Sequence, residues 1–542
     1  MKHADRILPA LLFVSLLTVY GMTLAPGLTW ANHGADGGDL ITAAATGGVP
    51  HPTGYPVYLL LAHAFQFLPV GSLAFRTNLL SALAAATASL LVYGLVARTS
   101  RNPLAGLVSA YALGLSPLLW SQAVITEVYA LHAFFVALIL YWSVFPPSLN
   151  EKKSNLALGL IFGLALGNHL TTILLLPVLL ASALTRQSDS HFRSDCHFDA
   201  RSLSRRLMGL GTGLLVYLIL PLCALAYPPV NWGNPVTLKN LGWLVSAQLY
   251  QDEVFALTLP SLWARIQSAA ALLLDQFGIL GLTASLLGLI IFFRPSPLYR
   301  NLLWTMAVYS VFAIGYATDD SFLYFIPPAL CFAVWLGIGV DGLMEFMKSQ
   351  ALPSLRGGWS PWHRPSGQVS RRSNPHIAGG DCFAKSARND GMSSVFESNN
   401  DLQKPIARRF PKLGWAAGLA TLLYLFILAG GHWPQVDASR DARAEQFGQL
   451  VMTQMPADAL VFAEGDQVIF SLWYFHYALG QRADIAVIAS DLLPFDWYQD
   501  TLKTTYPSLS VPGPLPDAII SANPGRPVCI VEYDGQALIR CP

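Results

Sequence analysis

The chain has 542 residues, of which 53% are hydrophobic and only 12% charged, and its mean hydropathy is +0.45. Soluble globular chains carry about 25% charged residues, so the composition excludes an ordinary soluble protein and indicates a polytopic α-helical membrane protein. The formal net charge of +1 conceals acidic and basic residues segregated into different loops, and nucleic acid is not an expected partner. The six cysteines, Cys196, Cys223, Cys331, Cys382, Cys529 and Cys541, show neither CxxC nor Cys/His ligand spacing, which argues against a zinc site.

Crossing about 30 Å of hydrocarbon takes roughly 20 apolar residues, fewer for short spans. Eleven runs are candidates: 7–24, 73–96, 104–120, 128–145, 156–167, 171–184, 207–226, 278–293, 301–317, 325–347 and 413–430. The first also resembles a secretory signal, but ten further spans follow and no convincing cleavage site is present, so it is expected to be retained. Lys and Arg collect in cytoplasmic loops. With Lys2 and Arg6 inside, the inner loops hold Arg98, Arg101, Lys152, Lys153, Arg186, Arg206, Arg294, Arg300 and a basic linker. Counting 156–167 and 171–184 as two spans keeps Lys152, Lys153, Arg186 and Arg206 all inside, so this segment reads as a hairpin whose tip, Asn168-His169, faces outward. The outer loops are acidic, with Asp36, Asp39, Glu127, Asp252, Glu253, Asp319 and Asp320.

The expected organisation is therefore a transmembrane region over 1–347, including a first outer loop at 25–71, then a basic, Ser- and Gly-rich cytoplasmic linker over 348–412 without a core of its own. A last span at 413–431 and a small extracytoplasmic α/β domain over 432–542 follow. In the last part, 459–463, 485–489 and 528–533 read as strands and 440–455 and 467–479 as helices. Cys529 and Cys541 flank a hairpin turning at Asp534-Gly535-Gln536, which sets them opposite each other and predicts a disulfide. In a bacterium the membrane would be the plasma (inner) membrane.

The first outer loop is the most informative stretch. It contains Asp36-Gly-Gly-Asp39-Leu and then Gly48-Val-Pro-His51-Pro-Thr-Gly-Tyr-Pro56. Two carboxylates three residues apart can converge if the glycines between them allow it. Such a pair suits removal of a proton from an acceptor hydroxyl, or a divalent cation held between carboxylates and phosphate oxygens. The plainer alternative makes Asp36 a turn residue and Asp39 an N-cap of the following helix. His51 lies in a Pro-flanked turn, where a lone His is more often structural, although it can bind phosphate. The apolar run 56–70 is too short to span and reads as an interfacial helix beside a lipid substrate.

These motifs, together with Phe75-Arg-Thr-Asn-Leu-Leu-Ser-Ala-Leu, Thr126-Glu-Val-Tyr-Ala-Leu, Gly163-Leu-Ala-Leu-Gly-Asn-His-Leu-Thr and Gly465-Asp-Gln-Val-Ile-Phe-Ser-Leu-Trp-Tyr, resemble the family known as DUF2723, related to the protein O-mannosyltransferases of the GT-C superfamily. The family's usual Asp-Ser-Gly-Glu stands here as Asp36-Gly-Gly-Asp39. The resemblance implies a GT-C-like membrane glycosyltransferase that moves mannose or another hexose from a polyprenyl-phosphate donor to an extracytoplasmic protein or glycan acceptor. It also implies that Asp36 is the catalytic carboxylate, with Asp39 next.

Further candidates for substrate binding are His51, Arg76, Glu127, Asn168, His169, Asp319, Asp320 and Tyr324. Glu127 could equally be an N-terminal charge complementing a helix dipole, Asn168 a plain turn residue, and Arg76 an arginine that snorkels. Asp319 and Asp320 precede an aromatic run, Phe322-Leu-Tyr324-Phe, suited to stacking on a sugar. The alternatives in other classes are a transporter or flippase of lipid-linked substrates and a non-catalytic membrane scaffold. Transporters place ionisable groups inside spans and show repeats or broken helices, whereas these spans are nearly free of charge.

Overall fold

The computed structural model describes residues 4–181, 184–186, 196–290, 296–350 and 411–541; the greater part of the expected linker, 351–410, lies outside them. The chain begins with α1 (Ala4–Thr23). The first loop then carries a 3-10 turn (Ala31–Asp36), α2 (Gly37–Thr46) and α3 (Pro56–Gln66) before α4 (Leu73–Ser100). The next helices, α5 (Pro103–Gly114) and α6 (Pro117–Ala123), are one apolar stretch bent by 66°, where Pro117 cannot donate a backbone hydrogen bond. They are followed by α7 (Tyr129–Val144), α8 (Glu151–Leu166), a 3-10 turn (Leu170–Leu175), α9 (Leu176–Ala181) and a short hairpin of β1 (Leu184–Arg186) and β2 (Cys196–Phe198). The bundle continues with α10 (Ala200–Leu214), α11 (Ile219–Ala224), α12 (Leu238–Val245), α13 (Leu259–Ile290), α14 (Pro297–Gly315), α15 (Ile326–Gln350) and α16 (Pro411–Val436).

Small residues set the closest helix contacts, as van der Waals packing in lipid demands. Gly159 and Gly163 of α8 face Gly209 and Gly213 of α10 so closely that a methyl group on any of them would run into the partner's backbone; Gly288 of α13 and Gly339 of α15 meet in the same way. At Gly278 the backbone has φ 60 and ψ 177, a region that only glycine occupies readily. The bend it makes in α13 falls at the first residue of the span expected over 278–293.

Five helical stretches among the described residues are long and apolar enough to cross a membrane, or six with the bent α5–α6 pair, and shorter apolar helices lie at Ile7–Thr23, Tyr129–Val144 and Leu170–Ala181. The expected count of eleven is larger because the sequence measures apolar runs, whereas a helix of 10–17 residues rises only about 15–25 Å. The run 56–70, expected to form an interfacial helix, is helical over Pro56–Gln66 as α3. It buries Val57, Tyr58, Leu59, Ala62 and Gln66 and leaves Leu60 exposed.

The end of the chain is a terminal α/β unit: α17 (Arg443–Gln454), β3 (Leu460–Ala463), α18 (Asp466–Trp473), β4 (Ala486–Ala489), α19 (Asp496–Thr505), α20 (Pro516–Ala522), β5 (Val528–Tyr533) and β6 (Ala537–Arg540). The strand order is β4-β3-β5-β6, with the first three parallel and β6 antiparallel. Every residue of β3 and β4 is buried, as in parallel sheets covered on both faces. Pairing of Val531 with Ile539 brings Cys529 to Cys541, and the two form a disulfide.

This unit is docked onto the first loop through specific polar contacts. The Trp30 indole donates to Ser471 Oγ at 3.0 Å, Thr29 Oγ1 to Asp441 Oδ2 at 2.6 Å, and the Leu28 amide to Glu445 Oε1 at 3.0 Å. Trp30 also packs against Tyr533 and Phe447, with ring centroids 4.5 and 5.3 Å away. The first loop is thus enclosed between the bundle and the terminal unit.

Candidate active site

Asp36 ends the 3-10 turn whose residues Asn32 and His33 have φ of 56 and 63. Left-handed backbone at two successive non-glycine residues costs roughly 1 kcal/mol or more at each, and neighbours hold it in place. Asn32 Nδ2 donates to the Val436 carbonyl at 2.9 Å, and Gln122 Nε2 donates to the Asn32 carbonyl at 3.1 Å. The turn presents Asp36 to a cavity of about 750 Å³ between the first loop, the bundle and the terminal unit.

Gly37 and Gly38 do not make Asp36 and Asp39 converge through unusual backbone, because Gly37 is already helical, at φ −54. Their value is close approach: a methyl group on Gly38 would strike the Phe470 carbonyl of α18. Asp39 is not an N-cap either. It sits in the first turn of α2, fully buried, and its carboxylate faces sideways. Oδ2 accepts the His51 amide at 2.9 Å and pairs with His51 Nδ1 at 2.7 Å, while Oδ1 accepts the Trp232 indole at 3.2 Å. On the other side of the ring, His51 Nε2 lies 3.5 Å from Asp36 Oδ2. Asp39, His51 and Asp36 therefore form a chain from the interior to the cavity.

Burial works against charge on His51, but the Asp36 carboxylate and the Asp39 hydrogen bond outweigh it and push the ring up to about 10. Asp36 is pushed up to about 6, first by burial, against the pull of His51 and with Asp466, Asp320 and Asp39 adding to the rise. At neutral pH this is an imidazolium beside an ionised Asp36, whose side chain remains 37% exposed. A carboxylate in that range is well matched to accepting a proton near neutral pH. Glu127 is buried to 3% exposure, and desolvation, then the charge of Asp36, raise it well above the usual carboxylate range.

The cavity also brings together His169, Asp319, Asp320 and Tyr324. Tyr324 is the centre of an aromatic group, 5.6 Å from His169, 5.8 Å from Tyr129, 5.5 Å from Tyr316 and 5.1 Å from Phe312 between centroids. Asp320 accepts the Tyr129 hydroxyl at 2.9 Å. Arg265 holds their loop by donating to the Tyr316 carbonyl at 2.6 Å and to Ser321 Oγ at 2.7 Å. His169 is held neutral, down to about 4, because burial outweighs Asp320.

Two expected residues are elsewhere. Arg76 does not reach the cavity: its guanidinium donates to the carbonyls of Gln66, Val70 and Gly71 at 2.7, 2.7 and 3.0 Å, closing the chain after α3. Asn168 is fully buried and ties the hairpin tip to the start of α7 through the Val128 carbonyl at 3.3 Å. Among the described residues no three His, Cys, Asp or Glu side chains are gathered as a metal-ligand set, and none of the residues lining the cavity is Lys or Arg.

Sequence reasoning missed Trp232, Tyr250, Thr53 and the turn Glu464-Gly465-Asp466. Trp232 supports Asp39 from 193 positions away, and no local pattern marks such a pairing. Asp466 had a signal, since it lies inside the Gly465-Asp-Gln motif of the family resemblance.

Residues 36–191 match the family model described as the N-terminal domain of protein O-mannosyl-transferase TMEM260, and residues 444–524 match TMEM260-associated domain 2. The chain is 24% identical to protein O-mannosyl-transferase TMEM260 of Mus musculus over 92% of its length, and 23% identical to that of Dictyostelium discoideum over 95%. It spans 65% and 61% of the lengths of these relatives, less than two thirds of each. In fold it resembles the crystal structure of ArnT from Cupriavidus metallidurans bound to undecaprenyl phosphate, with a TM-score of 0.53 and 13% identity, covering 96% of this chain and 92% of that one. The chain is thus related in sequence to the protein O-mannosyl-transferases named TMEM260, and it shares the fold of ArnT.

Proposed function

We propose that this chain is a GT-C-type membrane glycosyltransferase that moves a sugar, mannose by preference, from a polyprenyl-phosphate donor to a Ser or Thr hydroxyl of an extracytoplasmic protein. The observation that carries this reading is the Asp39–His51–Asp36 chain opening on the cavity. The acceptor oxygen attacks the anomeric carbon, the bond from that carbon to the phosphate oxygen breaks, and the polyprenyl phosphate leaves with the electron pair. Asp36 takes the hydroxyl proton. His51, charged and oriented by Asp39, is the cation available to the departing phosphate, and the Tyr324 aromatic group offers a surface for the sugar. Apolar lining at Leu170, Ile173 and Leu174 suits the lipid end of the donor.

The amino terminus and the 348–412 linker are assigned to the cytoplasmic side, and the cavity and terminal unit to the outer side, in keeping with the charge bias of the loops. The test is purified protein in lipid nanodiscs with polyprenyl-phosphate mannose and a Ser/Thr peptide. Mannosylated peptide and free polyprenyl phosphate in equal amounts are expected; no transfer to any peptide or glycan acceptor from any polyprenyl-phosphate sugar would refute the assignment.

A further inference from the structure

The cavity wall built by the terminal unit differs in chemistry from the walls built by the bundle. On the bundle side are the apolar groups that suit a lipid. On the other side is the turn Glu464-Gly465-Asp466-Gln467, all four residues exposed to the cavity. Its geometry is fixed: Gly465 has φ +81 and its amide donates to Asp491 Oδ2 at 2.8 Å. Among the described residues the Asp466 carboxylate has no hydrogen bond or ion pair. A second, independent feature is Thr53, a residue of the same cavity lining that is only 6% exposed, with a buried Oγ1 that has no hydrogen-bond partner among the described residues. A buried hydroxyl left unpaired costs about 1–3 kcal/mol, which a ligand's polar group would relieve.

The charge of the cavity points to the ligand. Asp36, Asp319, Asp320, Glu464 and Asp466 line it against the imidazolium of His51, with no Lys or Arg among the described lining residues, and a concave site with an excess of one sign concentrates the opposite charge. We propose that the Glu464–Gln467 turn and Thr53 form an acceptor subsite that selects polypeptide segments with Lys or Arg beside the Ser or Thr to be modified. Asp466 receives the cationic side chain, and Thr53 receives a main-chain amide or carbonyl of the extended segment. The inference rests on the transferase reading above and adds the class of acceptor.

The experiment uses the full chain in nanodiscs and fluorescent Ser/Thr peptides that differ only in flanking Lys or flanking Glu. The wild type is expected to bind the Lys peptide about ten-fold more tightly, as for a charge-assisted hydrogen bond, with the preference shrinking as salt rises. Asp466→Asn should bring the ratio close to one, and Asp466→Lys should reverse it, a result that misfolding cannot produce. Thr53→Val should weaken both peptides alike. Equal binding of the two peptides by the wild type, or an unchanged preference in Asp466→Lys, overturns the proposal; unchanged binding in Thr53→Val removes Thr53 from it. Mannose transfer measured on the same samples separates the two readings, because absence of transfer refutes the transferase assignment while peptide preference is decided by binding.

Discussion

Asp39 holds His51 twice with one carboxylate oxygen, through the backbone amide at 2.9 Å and ring Nδ1 at 2.7 Å, and spends its other oxygen on the Trp232 indole at 3.2 Å. All three contacts bring an N–H to an oxygen. In Asp39→Asn one of those oxygens becomes an NH2 group, so a donor faces a donor in a fully buried site. The expected outcome is a loss of about 1–3 kcal/mol in stability, read as a lower unfolding temperature, together with a large fall in transfer. An N-cap would behave differently, because Asn caps about as well as Asp; an Asp39→Asn protein with wild-type stability and turnover would refute the orienting role.

Asp36 must be ionised to accept a proton, and its carboxyl is raised to about 6. Transfer should therefore fall as pH drops through about 6, where the base becomes protonated, and show no matching loss toward pH 8 or 9, because His51, raised to about 10, keeps its charge there. Asp36→Asn should slow turnover by roughly 100- to 10,000-fold and abolish the acidic limb in what activity remains. A rate that is flat from pH 5 to 8 in the wild type would remove Asp36 from the role of base.

The acids of the loops expected outside were legible because a polar residue in an apolar sequence stands out, and Asp36, Glu127, Asp319 and Asp320 do meet at one cavity. Their individual roles were not. Asp39 in a D-x-x-D pattern reads as a cap or a second catalytic acid, and only His51 and Trp232, folded onto it from 12 and 193 positions away, reveal a positioning residue. Arg76 at a span entrance looks like a phosphate ligand, yet local carbonyls consume its donors. The contribution of Asp466 depends on docking of the terminal unit, which is carried by long-range contacts such as Trp30 with Ser471 that no periodicity encodes.

Gly37 and Gly38, the two glycines between Asp36 and Asp39, differ in what surrounds them. A methyl group at Gly37 would lie 3.4 Å from the Thr126 carbonyl, whereas one at Gly38 would collide with the backbone of Phe470. Gly38→Ala is therefore expected to separate α2 from α18 at a cost of about 1–3 kcal/mol, typical of overpacking, and to reduce transfer, with Gly37→Ala much closer to wild type. Thermal unfolding of the two variants side by side checks this, and equal effects would mean that the contact does not set the docking.

Asp517 lies exposed in α20, unlike Leu460, which is fully buried in β3. Asp517→Cys should react with a membrane-impermeant maleimide on intact cells. Reaction only after the membrane is permeabilised would reverse the proposed topology.

The pairing of Cys529 with Cys541 gives an independent measure of where the terminal unit resides, since disulfides persist in oxidising compartments. Protein isolated without reductant should yield the bridged peptide in mass spectrometry. The bridge closes the β5–β6 hairpin, and β5 ends at Tyr533, whose ring lies 4.5 Å from that of Trp30 in the first loop. Replacing both cysteines by serine should remove roughly 2–4 kcal/mol from the stability of the terminal unit and loosen the edge of the sheet against Trp30. Transfer should then decline without any change in its pH profile, because the Asp39–His51–Asp36 chain is untouched. Reductant should lower the unfolding temperature of the wild type toward that of the double serine variant and leave the variant unaffected. Both thiols free in freshly isolated protein would contradict the bridge and, with it, this line of support for an extracytoplasmic terminal unit.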